Sequence, residues 1–139
     1  CGDGDEPLEH GNPDRFGPYN ESLETAQLRK MEYIVNALGV KPGMKALDIG
    51  SGWGRFAEYL ASKGAEVTGV VAAYDLAKYS RRLNKHHGDK VKIIAQNFYD
   101  VDLPGKSFDV ISAVEMSEHA GVANFHSFLK KVRFLLKDQ

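Results

Sequence analysis

Residues 45 to 71 read KALDIGSGWGRFAEYLASKGAEVTGVV. A short apolar run, Lys45 to Ile49, is followed by three glycines in five positions, then by a helical pattern over Phe56 to Lys63 closed by Gly64, then by a second β-branched run, Glu66 to Val71. Two strands separated by a helix cannot form a hairpin. They must lie parallel and joined by a crossover, and such crossovers are right-handed. This one stretch therefore commits the chain to an α/β architecture.

The rest of the sequence repeats the unit. Asp75 to His87 reads as a helix ended by Gly88, Val91 to Ala95 as a third strand, YDVDLPGKS as a loop, Phe108 to Val114 as a fourth strand and Ala123 to Leu136 as a last helix. Ahead of the first strand, Leu23, Ala26, Leu28, Met31, Ile34, Val35 and Leu38 recur near helical spacing, with Ser22 as a candidate N-cap and Gly39 as a stop. Residues 1 to 20 differ in texture: four Gly, three Pro and little periodic apolar content predict an extended lead-in, so the organisation expected is a segment 1–21 and a core 22–139. Helices on both faces of a parallel sheet are expected, with ligands bound beyond the carboxyl ends of the strands.

Composition narrows the classes. The 139 residues carry a net charge of -1 and 42% hydrophobic residues, enough for one globular domain with a buried core. No apolar stretch nears the ~20 residues that cross a bilayer, and the N-terminus is acidic and polar, so a cytoplasmic setting is expected. Near-neutral charge offers little surface for phosphate backbones, and no nucleic acid partner is expected. Cys1 alone cannot close an internal disulfide. His86 and His87 are adjacent rather than four apart, with no partnering cysteine or acid cluster nearby in sequence, and no metal is expected. Lys78, Arg81, Arg82, Lys85, His86, His87, Lys90 and Lys92 crowd the third helix and its exit, which suits either a solvated face or contact with anionic lipid headgroups at a membrane periphery.

The glycine stretch carries the chemistry. Asp48 is placed at the end of the first strand, and Gly50, Gly52 and Gly54 let the backbone turn tightly and approach a ligand with no Cβ between them. A carboxylate there repels a pyrophosphate but suits the ammonium of an amino acid. That choice favours S-adenosylmethionine, and the spacing G-x-G-x-G rather than G-x-G-x-x-G leans away from a nicotinamide or flavin site. A second polar cluster follows the fourth strand: Glu115, Glu118 and His119 lie within five positions, which suits a pocket wall, the alternative being the start of the last helix.

LETAQ, VKPGM, GWG and EMSEHAG, taken together over about residues 22 to 137, resemble the cyclopropane-fatty-acid synthase group of class I S-adenosylmethionine-dependent methyltransferases, which includes sphingolipid C9-methyltransferases. The resemblance implies a Rossmann-like methyltransferase three-layer sandwich, here truncated after the fourth parallel strand and its helix. It implies that Asp48, Gly50, Ser51, Gly52, Trp53 and Gly54 surround the methionine and first ribose contacts of the cofactor, that Val71 and Ala72 lie near the ribose, and that Asn97 and Phe98 lie beside the adenine. Glu115 would be near the cofactor. Glu118 and His119 would be catalytic, holding a bicarbonate base in lipid-acting members or orienting the amine in N-methylating ones. The acceptor implied is an unsaturated lipid, with a small amine or a cofactor-binding module without turnover as alternatives. The family's usual glutamine after the second strand is absent, and Asp75 stands in that neighbourhood. With strand order 3-2-1-4, the fourth strand would form an apolar edge at which two copies could pair.

Overall fold

The computed structural model describes residues 23–113 and 122–138. Its elements, in chain order, are α1 (Leu23–Leu38), β1 (Lys45–Ile49), α2 (Arg55–Ser62), β2 (Glu66–Val70), α3 (Tyr74–Leu83), a 3-10 segment (Lys85–Lys90), β3 (Val91–Ile94), β4 (Val110–Ser112) and α4 (Val122–Leu135). The chain divides into two compact units, Cys1–Ala37, which holds nearly all of α1, and Leu38–Gln139, which holds the sheet.

The sheet is parallel throughout, in the order β3-β2-β1-β4. The register pairs Asp48 with Gly69 on one side and Ser112 on the other, and Gly69 in turn with Ile93. Side chains alternate across a pleat, so these four positions share one face, while Leu47, Ile49 and Val70 point to the other. Both β1-α2-β2 and β2-α3-β3 step in the same direction across the sheet, and right-handed crossovers therefore put α2 and α3 on the same face. Phe128 and Val132 of α4 pack on the opposite face, against a core of Leu47, Ile49, Val70, Phe98, Val101, Phe108 and Leu135. Helices thus cover both faces, as expected for a three-layer sandwich.

The start of β1 and the approach to β4 are locked together. Asp109 N–H donates to Lys45 O at 2.8 Å, Lys45 N–H donates back to Asp109 Oδ2 at 2.8 Å, and Lys137 Nζ donates to the same oxygen at 3.2 Å. These donors hold the Asp109 carboxyl below its ordinary value, the backbone N–H of Lys45 contributing most.

Several boundaries shift from expectation by a residue or two, and two shifts have an identifiable local reason. The third helix stops at Leu83 rather than His87, because Asn84 turns its side chain inward to donate to Ser80 O at 2.9 Å and Gly54 O at 3.2 Å, and Gly88 then takes φ 58, ψ -131, which no helix allows. β4 begins at Val110 rather than Phe108, because Phe108 is taken up by a parallel bridge to Leu136 at the end of α4. Residues 1–21 and Val114 lie outside the described residues.

Candidate cofactor site at the carboxyl end of β1

Beyond β1 the chain enters a turn in which Gly50, Gly52 and Gly54 all adopt positive φ, at 68°, 55° and 89°. L side chains pay for such a backbone and glycine does not. The turn is pinned by hydrogen bonds: Gly50 N–H and Ser51 N–H both donate to Val70 O, at 2.9 and 3.1 Å, and Gly54 N–H donates to Ser51 O at 2.9 Å. α2 starts directly after it, and Glu58 N–H donates to Gly54 O at 3.0 Å.

The inner and outer sides of this turn differ. A Cβ on Gly54 would lie 2.0 Å from Ser80 Oγ, so α3 fills the space beneath that residue. One on Gly52 would meet nothing nearer than Gly50 O at 3.9 Å. The loop is therefore tightly seated below and open above at its centre.

Asp48 is one residue short of the strand's end and only 2% exposed. Ser112 Oγ, level with it on β4, donates to Asp48 Oδ1 at 3.0 Å. Its surroundings are therefore polar on the Ser112 side, and the carboxylate is buried rather than open to solvent. Ser51 is also buried, and its hydroxyl is packed against Gly69, where a Cβ would lie 2.8 Å from Ser51 Oγ. Trp53, 59% exposed, meets Tyr79 of α3 edge to face with ring centroids 5.0 Å apart. Sequence reading gave no role to Ser80, Asn84, Tyr79 or Ser112, since all four reach the loop only through the fold.

The other expected cofactor positions divide. Val71 is buried with its N–H donated to Ile94 O at 2.9 Å, and Ala72 beside it is exposed at the mouth of the β2–α3 turn. Asn97 spends its side-chain oxygen on Tyr99 N–H at 3.0 Å in a local turn. Phe98 departs from its expected place beside an adenine: its ring is 2% exposed, 5.4 Å from Phe128 and beneath Lys131 Nζ, so it is a core side chain. Alternation of buried and exposed residues is irregular in this loop, and nothing in the local sequence marks Phe98 as inward. Glu115, Glu118 and His119 lie outside the described residues.

Comparison with known proteins gives this geometry a context. Residues 15–139 match the family model described as mycolic acid cyclopropane synthetase. The chain belongs to that family. Among curated members similar to this cyclopropane synthetase family chain are sphingolipid C9-methyltransferase 2 of Gibberella zeae, 33% identical over 122 residues, and the cyclopropane-fatty-acyl-phospholipid synthase of Escherichia coli K12, 36% identical over 120 residues. These alignments take in 85% and 86% of this chain but only 23% and 30% of those proteins. The chain thus spans less than a third of the relatives' length. Among solved structures, a mycolic acid cyclopropane synthase complexed with SAH and CTAB superposes with a TM-score of 0.76 at 24% identity, covering 84% of this chain and 41% of that one. That likeness establishes the Rossmann-like methyltransferase fold.

Proposed function

We propose that this chain carries the S-adenosylmethionine-binding part of a methyltransferase acting on an unsaturated lipid, to form a cyclopropane or a methyl branch. The observation that carries the reading is the pairing of a buried carboxylate, Asp48, with a positive-φ glycine turn that is open on its outer side, at the carboxyl edge of a parallel sheet. Family membership supports the lipid acceptor, because relatives on both alignments are named for sphingolipid and fatty-acyl-phospholipid substrates. A solved neighbour complexed with SAH supports the cofactor.

The residues fit that cofactor. Asp48 supplies the negative charge that an amino-acid ammonium needs, and its low exposure strengthens the attraction relative to water. Ser112 holds one carboxylate oxygen, fixing which way the acid faces. The open centre at Gly52 leaves room where any side chain would stand between backbone and ligand. When bound, S-adenosylmethionine supplies an already activated methyl group, so the protein is required mainly to align the acceptor and to remove a proton. Glu118 and His119 are the groups we assign to that proton, on the resemblance of EMSEHAG to the family pattern. No helix among the described residues is long and apolar enough to cross a membrane, and the basic face of α3 is the surface we assign to anionic headgroups. Arg81 is partly withdrawn from that face, since its Nε and Nη2 both donate to Ile93 O.

The test is calorimetric titration of the full-length protein with S-adenosylhomocysteine, followed by transfer of a labelled methyl group to phospholipid vesicles with unsaturated acyl chains or to small amines. Binding with lipid product supports the proposal. Label in the amines alone moves the acceptor to nitrogen, and absence of binding removes the reading altogether.

A further inference from the structure

Glu58, His86 and His87 converge between the first turn of α2 and the 3-10 segment, each offering a ligand atom, all within 4.8 Å of one another. Adjacent residues on a regular helix diverge by about 100°. Here the two imidazole rings instead lie with centroids 4.0 Å apart and planes tilted by 41°. His86 Nε2 is 3.9 Å from Glu58 Oε1. His87 Nε2 is buried and, among the described residues, has no hydrogen-bond partner. Buried polar atoms are nearly always satisfied, so an orphaned ring nitrogen beside a second imidazole and a carboxylate calls for an occupant.

We propose that Glu58, His86 and His87 form a binding site for a divalent transition metal of the Zn2+ class, with water completing the coordination. Two imidazoles and one carboxylate are a donor set that suits Zn2+ and falls short of the oxygen shell that Ca2+ or Mg2+ requires. Metal–ligand distances near 2.1 Å put neighbouring ligand atoms of a tetrahedral site about 3.4 Å apart, so the three atoms must draw together by about an ångström or slightly more. His86 is exposed and Glu58 half-buried, and rotation of these two side chains supplies that movement. The expectation of no metal rested on chain spacing, which sees the two histidines and misses the glutamate one crossover earlier.

The site has a structural consequence. Glu58 N–H donates to Gly54 O, Asn84 Nδ2 donates to the same oxygen, and His87 N–H donates to Asn84 O at 3.0 Å. A metal joining Glu58 to His87 closes this circuit around the last residue of the glycine turn. Occupancy therefore stiffens the turn from its inner side.

The full-length protein, stripped with chelator, is titrated with Zn2+ by calorimetry and with Co2+ by visible absorption. We expect one Zn2+ per chain, a tetrahedral Co2+ spectrum, and a higher unfolding temperature with Zn2+ than without. His87→Gln and Glu58→Gln each weaken Zn2+ binding at least about tenfold, and abolish the Zn2+-dependent thermal shift. His86→Gln alters an exposed ring and keeps the test open should His87→Gln unfold. His126→Gln, on an exposed part of α4, leaves binding unchanged. No Zn2+ retained by the wild-type chain, or binding that His86→Gln and Glu58→Gln both leave intact, overturns the proposal.

Discussion

Gly54→Ala is the substitution whose cost the structure defines most sharply. The new Cβ would lie 2.0 Å from Ser80 Oγ, 2.8 Å from Ser80 Cβ and 2.9 Å from Asn84 Nδ2, at a φ of +89°. Rotating the Ser80 hydroxyl relieves the first overlap but not the second, and Asn84 is already committed to Gly54 O and Ser80 O. The left-handed backbone costs an alanine about 1 kcal/mol, the overpacking about 1–3 kcal/mol, and displacement of the buried Asn84 amide about 1–3 kcal/mol. A total of about 3–7 kcal/mol is comparable with the whole stability of a domain, about 5–15 kcal/mol. Gly52→Ala is the internal control: its φ is +55° but its nearest neighbour would be 3.9 Å away, so only the backbone penalty of about 1 kcal/mol applies. Urea unfolding followed by far-ultraviolet circular dichroism separates the two. Adding Ser80→Gly to Gly54→Ala removes two of the three overlaps and recovers part of the loss. If Gly54→Ala is no more destabilising than Gly52→Ala, the seating of this loop on α3 is wrong.

Asp48→Asn keeps an oxygen for Ser112 but removes the charge, and raises the S-adenosylhomocysteine dissociation constant about 10-fold or more, the loss of one charge-assisted bond; unchanged affinity by calorimetry would remove Asp48 from the site. Asp109 has a depressed carboxyl value when folded, so its contribution is complete above the ordinary value of about 4 and drains away as pH falls through the folded one. Asp109→Asn therefore lowers the unfolding temperature at pH 7 and flattens its fall on acidification below about pH 4; parallel curves for the two proteins would refute the linkage. Lys131 Nζ donates to Phe98 O and to Val101 O, and lies 4.8 Å from the Phe98 ring centroid. Lys131→Met strands both carbonyls and costs about 2–3 kcal/mol in chemical denaturation.

The sheet was legible because its signals are local. Each strand is a run of apolar residues bounded by glycine or polar residues, and the helix between two such runs leaves a parallel crossover as the answer. The positions of Asp48 and the three glycines followed from that order alone. What remained hidden depends on residues that meet across the fold. Ser112 reaches Asp48 from a strand 64 positions away, and Asn84 reaches Gly54 across 30. Asn84 is an ordinary polar residue in an apparently continuous helix, and its bonds to Ser80 O and to the glycine turn become visible only in the fold. Phe98 was misplaced for the complementary reason: a motif gives a residue's position along the chain, while the choice between rim and core is made by Phe128 and Lys131 on α4.

The glycines themselves carry the last step. Three in five positions suggest freedom, yet here each has a fixed positive φ and the turn is tied at Gly50, Ser51 and Gly54 to β2, to itself and to α3. Their conformational breadth is spent in the unfolded chain, and what the folded state gains is a backbone shape that a residue with a Cβ holds only at a cost. A loop ordered before its ligand arrives loses less entropy on binding than one ordered by it, and this preorganisation favours affinity without any additional contact. Loosening the support from below should therefore weaken ligand binding even where no ligand-facing atom is altered. Asn84→Ala is that perturbation: it removes the amide that donates to Gly54 O and Ser80 O, and we expect weaker S-adenosylhomocysteine binding with a more unfavourable binding entropy. Equal entropies for the two proteins would show that the turn holds its shape without Asn84.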